Sequence, residues 1–212
     1  MRLIDELRAE HSLIDRVAGS LIGFADSAAT GGTSAEDVAD FVRFFRAFVF
    51  GYHHEREEEV LFKVLVERAE IPGDRGPIPV IEADHHRAVE LVDDFEIASA
   101  SGGNAADVAR RLAHHLWEHV DKEESVLLPE SLDRLRRNGV TRLGGRKSTA
   151  EEESVRELGE RLTERFPPRD DPEIVRGDGC IACSAFGNTC GGIETEWWNT
   201  WERQHYRSLD EG

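Results

Sequence analysis

Tyr52-His53-His54-Glu55-Arg56-Glu57-Glu58-Glu59-Val60-Leu61-Phe62 places two imidazoles and four carboxylates within seven residues, then returns to apolar sequence. A second copy follows, His119-Val120-Asp121-Lys122-Glu123-Glu124-Ser125-Val126-Leu127-Leu128-Pro129. Both read His, three residues, Glu-Glu, one residue, Val-Leu. Residues four apart on a helix differ by about 40° in direction and lie roughly 6 Å apart, so a His and a Glu at that spacing converge on one point. Each copy is therefore read as supplying ligands to a shared metal site.

Working outward, residues 2–29 carry Leu3, Ile4, Leu7, His11, Ile14, Ala18, Leu21 and Ile22 at spacings of three and four, which predicts a helix closed by Gly31-Gly32. Ser34, with Glu36 and Asp37 behind it, opens a second helix that runs to about residue 70, before Ile71-Pro72-Gly73. Residues 79–100 form a third, with Ile81, His85, Val89, Val92 and Phe95 on one stripe. Asn104 caps a fourth that reaches about Arg137, with Val108, Leu112, His115, His119, Glu123 and Val126 in register and Pro129 near its end. No strand pattern competes. The expected fold class is all-α, an antiparallel four-helix bundle over 1–138 followed by a C-terminal helical and irregular extension over 139–212. The helices repeat in pairs, because Ala9-Glu10-His11 matches Ala83-Asp84-His85 as the two His-x-x-x-Glu stretches match each other.

Two His-x-x-x-Glu helices and two single histidines give a candidate ligand set of His11, His53, Glu57, His85, His119 and Glu123. Mixed nitrogen and oxygen donors suit iron, manganese or zinc, and carboxylates can bridge two ions inside a helical core. A lone inward histidine is more often a hydrogen-bonded core residue. As a set, though, these groups would be buried ionisable side chains without partners, which costs several kcal/mol apiece. Helical phase leaves two registers open. With His53 as reference, Val42, Val49, Glu57, Val60 and Val64 lie within about 40°. The competing frame of His54, Glu55 and Glu58 is turned by about 100° and faces Phe50, Leu61 and Leu65. The first register is preferred, which gives His54 and His86 a solvated or supporting role. His115 stands as a further ligand or a support for one.

The pattern of a single His, His-x-x-x-Glu, a single His, and His-x-x-x-Glu with its Glu-Glu-x-x-Leu continuation resembles the hemerythrin-like, HHE cation-binding domains over residues 1–135. The resemblance implies a four-helix bundle around a non-haem di-iron centre bridged by the two glutamates, with His11, His53, Glu57, His85, His119 and Glu123 as iron ligands. It implies a centre that binds or senses O2 or handles reactive oxygen or nitrogen species. The alternatives are an iron- or oxygen-responsive regulatory module and a structural zinc site. Oxygen-carrying members place His-x-x-x-His on the third helix, whereas His85 is followed here by Val89. Their fourth-helix pair has one more intervening residue and ends in Asp. The iron- and oxygen-sensing branch uses His-Glu-x-x-Glu, which His54-Glu55-Arg56-Glu57-Glu58 also fits.

Lys and Arg total 26 against 43 Asp and Glu, a formal charge of −17. That balance argues against nucleic acid, whose binding depends on Lys and Arg releasing counterions, and against anionic membrane surfaces. The charged, amphipathic start and the arginines within Phe41–Phe50 argue against a signal peptide or a membrane span, so a cytoplasmic location is expected. Thr149 with Glu152 caps a charged helix over 149–166, reached through an Arg-rich stretch read as a solvated linker. Beyond it, Cys180, Cys183 and Cys190 with His205 could close a tetrahedral zinc site, or Cys180 and Cys183 could form a redox pair. Trp197, Trp201 and His205 share a face that can dock a protein partner.

Overall fold

The computed structural model describes residues 1–74, 76–174 and 176. Among them there is no strand, and five helical runs account for the regular structure. Helix α1 is Arg2–Ala28. Helix α2 runs continuously over 35–68, and α3 is Pro77–Ala100. Helix α4 runs over 105–137 and α5 is Ala150–Arg165. The expected caps are present. Ser34 and Asp37 form a reciprocal capping box, as do Thr149 and Glu152, and the Asn104 side chain accepts from the Asp107 N–H. Helix α3 starts at Pro77, two residues before the expected Pro79, because a proline costs little in a first turn whose N–H groups have no helical acceptor. No helix among the described residues is long and apolar enough to cross a membrane.

Two stretches of α2, Phe45–His54 and Glu57–Phe62, are π-helical, as is Glu123–Leu127 in α4. Their consequence shows in burial. Phe41, Phe45, Val49, His53, Glu57, Leu61 and Leu65 stand four apart, and all are 0 % exposed. In an unbroken α-helix that series would wander by about 240° around the axis. Bonding from i to i+5 adds a residue to each turn and reduces the angular step, so the stripe stays on one side. The uniform α-helical phase therefore fails beyond His53: Leu61 and Leu65 are buried, whereas Val60 and Val64 lie partly exposed. In α3, Val89 is likewise 39 % exposed, and Ala88 and Leu91 fill the core in its place.

Among the described residues, buried apolar side chains form two clusters. One holds Leu13–Ala25 of α1, the first half of α2, Ala88–Phe95 of α3, the first half of α4 and the apolar face of α5. The other holds Leu3–Leu7, Leu61–Ile71, Ile78–Ile81 and Leu127–Val140. Successive runs from α1 to α4 meet the two clusters in opposite order. His11, His53, Glu57, His85 and Glu123 all fall between them.

The Arg-rich stretch after α4 is not a free linker. Arg134, Arg136 and Arg137 close α4. The Leu3 N–H donates to the Leu143 carbonyl (3.0 Å), and Arg146 reaches the Gly51 carbonyl, Glu55 and Glu152. Helix α5 buries Val155, Leu158 and Leu162 in the first cluster, and Phe166 meets Phe24 and Phe41 edge-on or tilted at 5.5 and 5.8 Å. A Cβ built on Gly159 would stand 2.5 Å from Phe44 Cε2, a fully buried ring. Gly→Ala inside a helix ordinarily gains about 1 kcal/mol, but overpacking here costs about 1–3 kcal/mol. Gly159→Ala is therefore expected to lower the urea midpoint; a raised midpoint would show that α5 can move off α2 without penalty.

Candidate metal centre

The layer between the apolar clusters receives donors from four helices: His11 from α1, His53, His54 and Glu57 from α2, His85 from α3, and His119 and Glu123 from α4. They form two groups, His11, His53, Glu57 and Glu123, and His54, Glu57, His85 and His119. In each group the ligand atoms all lie within 4.8 Å of one another. Glu57 belongs to both. Its Oε1 is 3.5 Å from His53 Nε2 and 3.8 Å from His11 Nε2, while Oε2 is 3.5 Å from His85 Nε2. One oxygen thus faces each group. Glu123 Oε2 lies 3.0 Å from His11 Nε2 and 3.4 Å from His119 Nε2, so it also touches both.

Among the described residues, the Nε2 atoms of His11, His53, His54, His85 and His119, and all four oxygens of Glu57 and Glu123, are buried without a hydrogen-bond partner. One unpaired buried polar group costs about 1–3 kcal/mol, and more when charged. Nine such atoms aimed at one layer are a poor way to build a core and a good way to surround cations. The imidazole and carboxylate donors suit iron, manganese or zinc.

The other nitrogen of three of these rings is held by an acid. His11 Nδ1 lies 2.6 Å from Glu124, His53 Nδ1 2.8 Å from Glu10 and His85 Nδ1 2.6 Å from Glu58. A carboxylate at Nδ1 keeps the proton there and leaves Nε2 as the donor lone pair. His119 Nδ1 is 3.8 Å from Asp84, beyond hydrogen-bond range. The arrangement follows the internal repeat. Glu58 of the first copy holds the histidine of α3, and Glu124 of the second holds that of α1. Glu10 and Asp84, which precede the single histidines, face His53 and His119. Glu10 is backed by Arg56, whose guanidinium is buried, pairs also with Glu6 (2.6 Å) and lies 4.5 Å over the Tyr52 ring.

Charge is distributed unevenly. Burial opposes a proton on His11, but Glu123 and Glu124 outweigh it and push the imidazole up to about 10. Burial is likewise outweighed at His85 by Glu57 and Glu58, to about 9. Burial, reinforced by His85 and His119, holds His54 well below the usual histidine range. Burial works against charge on Glu123 too, yet His119 and His11 keep it well below the carboxylate range.

All six residues of the expected set lie in this layer, and His54 joins them as a fifth imidazole. The choice between two registers dissolves, because the π-helical turns let His53 and His54 both face inward. Glu55 does not follow His54: it is exposed and pairs with Arg146 at 2.8 Å. Glu58 stands outside, on His85. His115 belongs to neither group; its Nε2 donates to the Asp84 carbonyl (2.8 Å), bracing the residue beside His85. His86 is exposed. Arg56 and Glu10 carried no signal that sequence reading used. The adjacent histidines were the available sign of His54, and uniform helical phase argued them apart. Cys180, Cys183, Cys190, Trp197, Trp201 and His205 lie outside the described residues.

The family model described as the hemerythrin HHE cation binding domain matches residues 2–131. No curated protein and no solved structure matches the chain. A match over more than half of the chain, carrying a buried His/Glu cluster able to hold metal, places this protein in the hemerythrin HHE cation-binding family.

Proposed function

We propose that this chain is a non-haem di-iron protein whose first four helices form an antiparallel four-helix bundle, and that it binds or senses O2 or handles reactive oxygen or nitrogen species. The observation that carries the reading is Glu57, with one unpartnered oxygen toward each of two donor groups. His11 and His53 would hold one ion and His54, His85 and His119 the other, with Glu57 and Glu123 between them. Bound iron would supply redox chemistry and a Lewis acid. The protein's own part is to orient the imidazoles through Glu124, Glu10 and Glu58, and to keep water away with the apolar clusters on either side. Anaerobic loading with Fe(II), then metal analysis and an absorption spectrum before and after air, tests it. Two irons per chain and an oxygen-dependent spectrum are expected; a protein that takes up only zinc from an equal mixture would instead have a structural site.

A second reading, an iron- or oxygen-responsive regulatory module, is favoured by one specific path. The segment carrying Gly145 and Arg146 packs on Arg56 and Tyr52, and Arg56 leads through Glu10 to His53. Identical limited proteolysis of residues 140–212 with and without iron would remove it.

Loading is expected to release protons. His11 and His85 have raised values in the metal-free fold, so their protonated forms stabilise it fully below about 6.5, and that contribution is lost as pH rises through about 9 to 10. Metal competes with these protons. Affinity for a divalent cation should therefore rise steadily from pH 6.5 to 9, with proton release visible to an indicator dye in weak buffer. An affinity that is flat over this range would mean the two imidazoles are not displaced from their protons by metal.

A further inference from the structure

A cleft of about 370 Å³ opens between α2 and α3. Its walls include Phe50 and Val89, and its rim carries Glu55, Glu58, Glu59 and His86. His54 and His85 line it from within, stacked in parallel with ring centroids 3.6 Å apart. Both are 4 % exposed, both have an unpartnered Nε2, and both belong to the three-histidine donor group. The cleft thus ends on metal-binding side chains.

The other approaches are guarded by positive charge. Glu10, behind His53, is backed by Arg56. Glu124, behind His11, meets Arg8 at 3.2 Å, and Asp84, beside His119, meets Lys122 at 3.0 Å. Among the described residues Glu58 alone of these four acids has no Arg or Lys partner, and its side chain is 40 % exposed. Glu55 and Glu59 on the same rim pair outward with Arg146 and Lys63, in solvent-exposed pairs that exchange cheaply. Among the described residues no lysine or arginine lines the cleft.

We propose that this cleft is the route by which a hydrated divalent cation reaches the centre. The rim carboxylates gather it and exchange for its water. Glu58 hands it inward as His85 swings on its Nδ1 contact, and the parted His54–His85 pair forms the inner gate. The three-histidine position then fills first. This rests on the two-metal reading above, and the test separates the two.

Uptake of Co(II) by the full chain under anaerobic conditions is followed by stopped-flow absorption, and the final stoichiometry by equilibrium titration. Val89→Trp fills the mouth, and the double variant Glu55→Gln with Glu59→Gln keeps its shape while removing rim charge; none of these residues is a proposed ligand. Carboxylate-lined clefts raise cation on-rates by roughly 10- to 1000-fold, so both variants should load about tenfold or more slowly, yet still reach two Co(II) per chain. Arg8→Gln, at the His11 side, should load at the wild-type rate. Wild-type rates in the Val89→Trp and the double-glutamine proteins, with stoichiometry intact, would overturn the route while leaving the metal centre standing. A wild-type chain that binds no Co(II) at equilibrium would overturn the metal reading and the route with it.

Discussion

Glu57→Gln is expected to reduce bound iron from two ions per chain to fewer than one after gel filtration. The size of the effect follows from position. Each imidazole serves one group, and Glu123 reaches both through a single oxygen, whereas Glu57 presents Oε1 to His53 and His11 and Oε2 to His85. Gln keeps the volume but removes the charge and turns one donor atom into an N–H2 that points at a cation. Loss of a group that merely orients a ligand already costs about 10–100-fold in metal affinity, and loss of a shared ligand should exceed that at both positions. Glu124→Gln, which touches only His11 Nδ1, should fall in the smaller range. Glu55→Gln, exposed and paired with Arg146, should leave the metal content unchanged. Two tightly held irons in the Glu57→Gln protein would remove Glu57 from the ligand set.

Metal removal should lower the melting temperature substantially. Without a cation, the layer holds His11 and His85 charged against Glu57 and Glu123, with nine donor atoms unpaired. Iron that binds only the folded chain stabilises it by about 4 kcal/mol when free metal is a thousandfold above Kd. For a chain of this size that corresponds to roughly 8–16 °C. The check is a melt in Fe(II) under argon against one in chelator, with Glu57→Gln as the control that should show little difference. Equal melting temperatures for the loaded and stripped wild type would mean the donors contribute nothing to the native state beyond their packing.

Much of this was legible in the residues. The five helices, their caps, the inward face of α1 and, on α4, Val108, Leu112, His119 and Glu123 followed from periodicity and from Ser34, Asn104 and Thr149, whereas His115 and Val126 are only partly buried. The repeated His-x-x-x-Glu pointed to the metal layer and to six residues that meet there. His54 was set aside because phase arithmetic assumes about 100° per residue throughout. The backbone departs from that step in the segment where His54 lies. The sign was present in another form: Phe41, Phe45, Val49, His53, Glu57, Leu61 and Leu65 keep a strict spacing of four, which an α-helix cannot hold on one face. Arg56 was invisible for a different reason. Its burial depends on Glu6, Glu10, Tyr52 and the returning chain at Gly145, and contacts that distant in sequence leave no local pattern.

The polar layer between the two apolar clusters has one more consequence. Apolar helices can slide past one another by a turn with little change in buried surface. Here each of α1 to α4 crosses the layer once, and a slide of one turn by any of them would set Leu7, Leu61, Ile81 or Leu127 opposite carboxylates. The donors would therefore set the axial alignment of the four helices, as a single buried polar residue sets register in a coiled coil. A cation that ties all four together would lock that alignment, so the centre specifies which packing the chain adopts as well as what it binds.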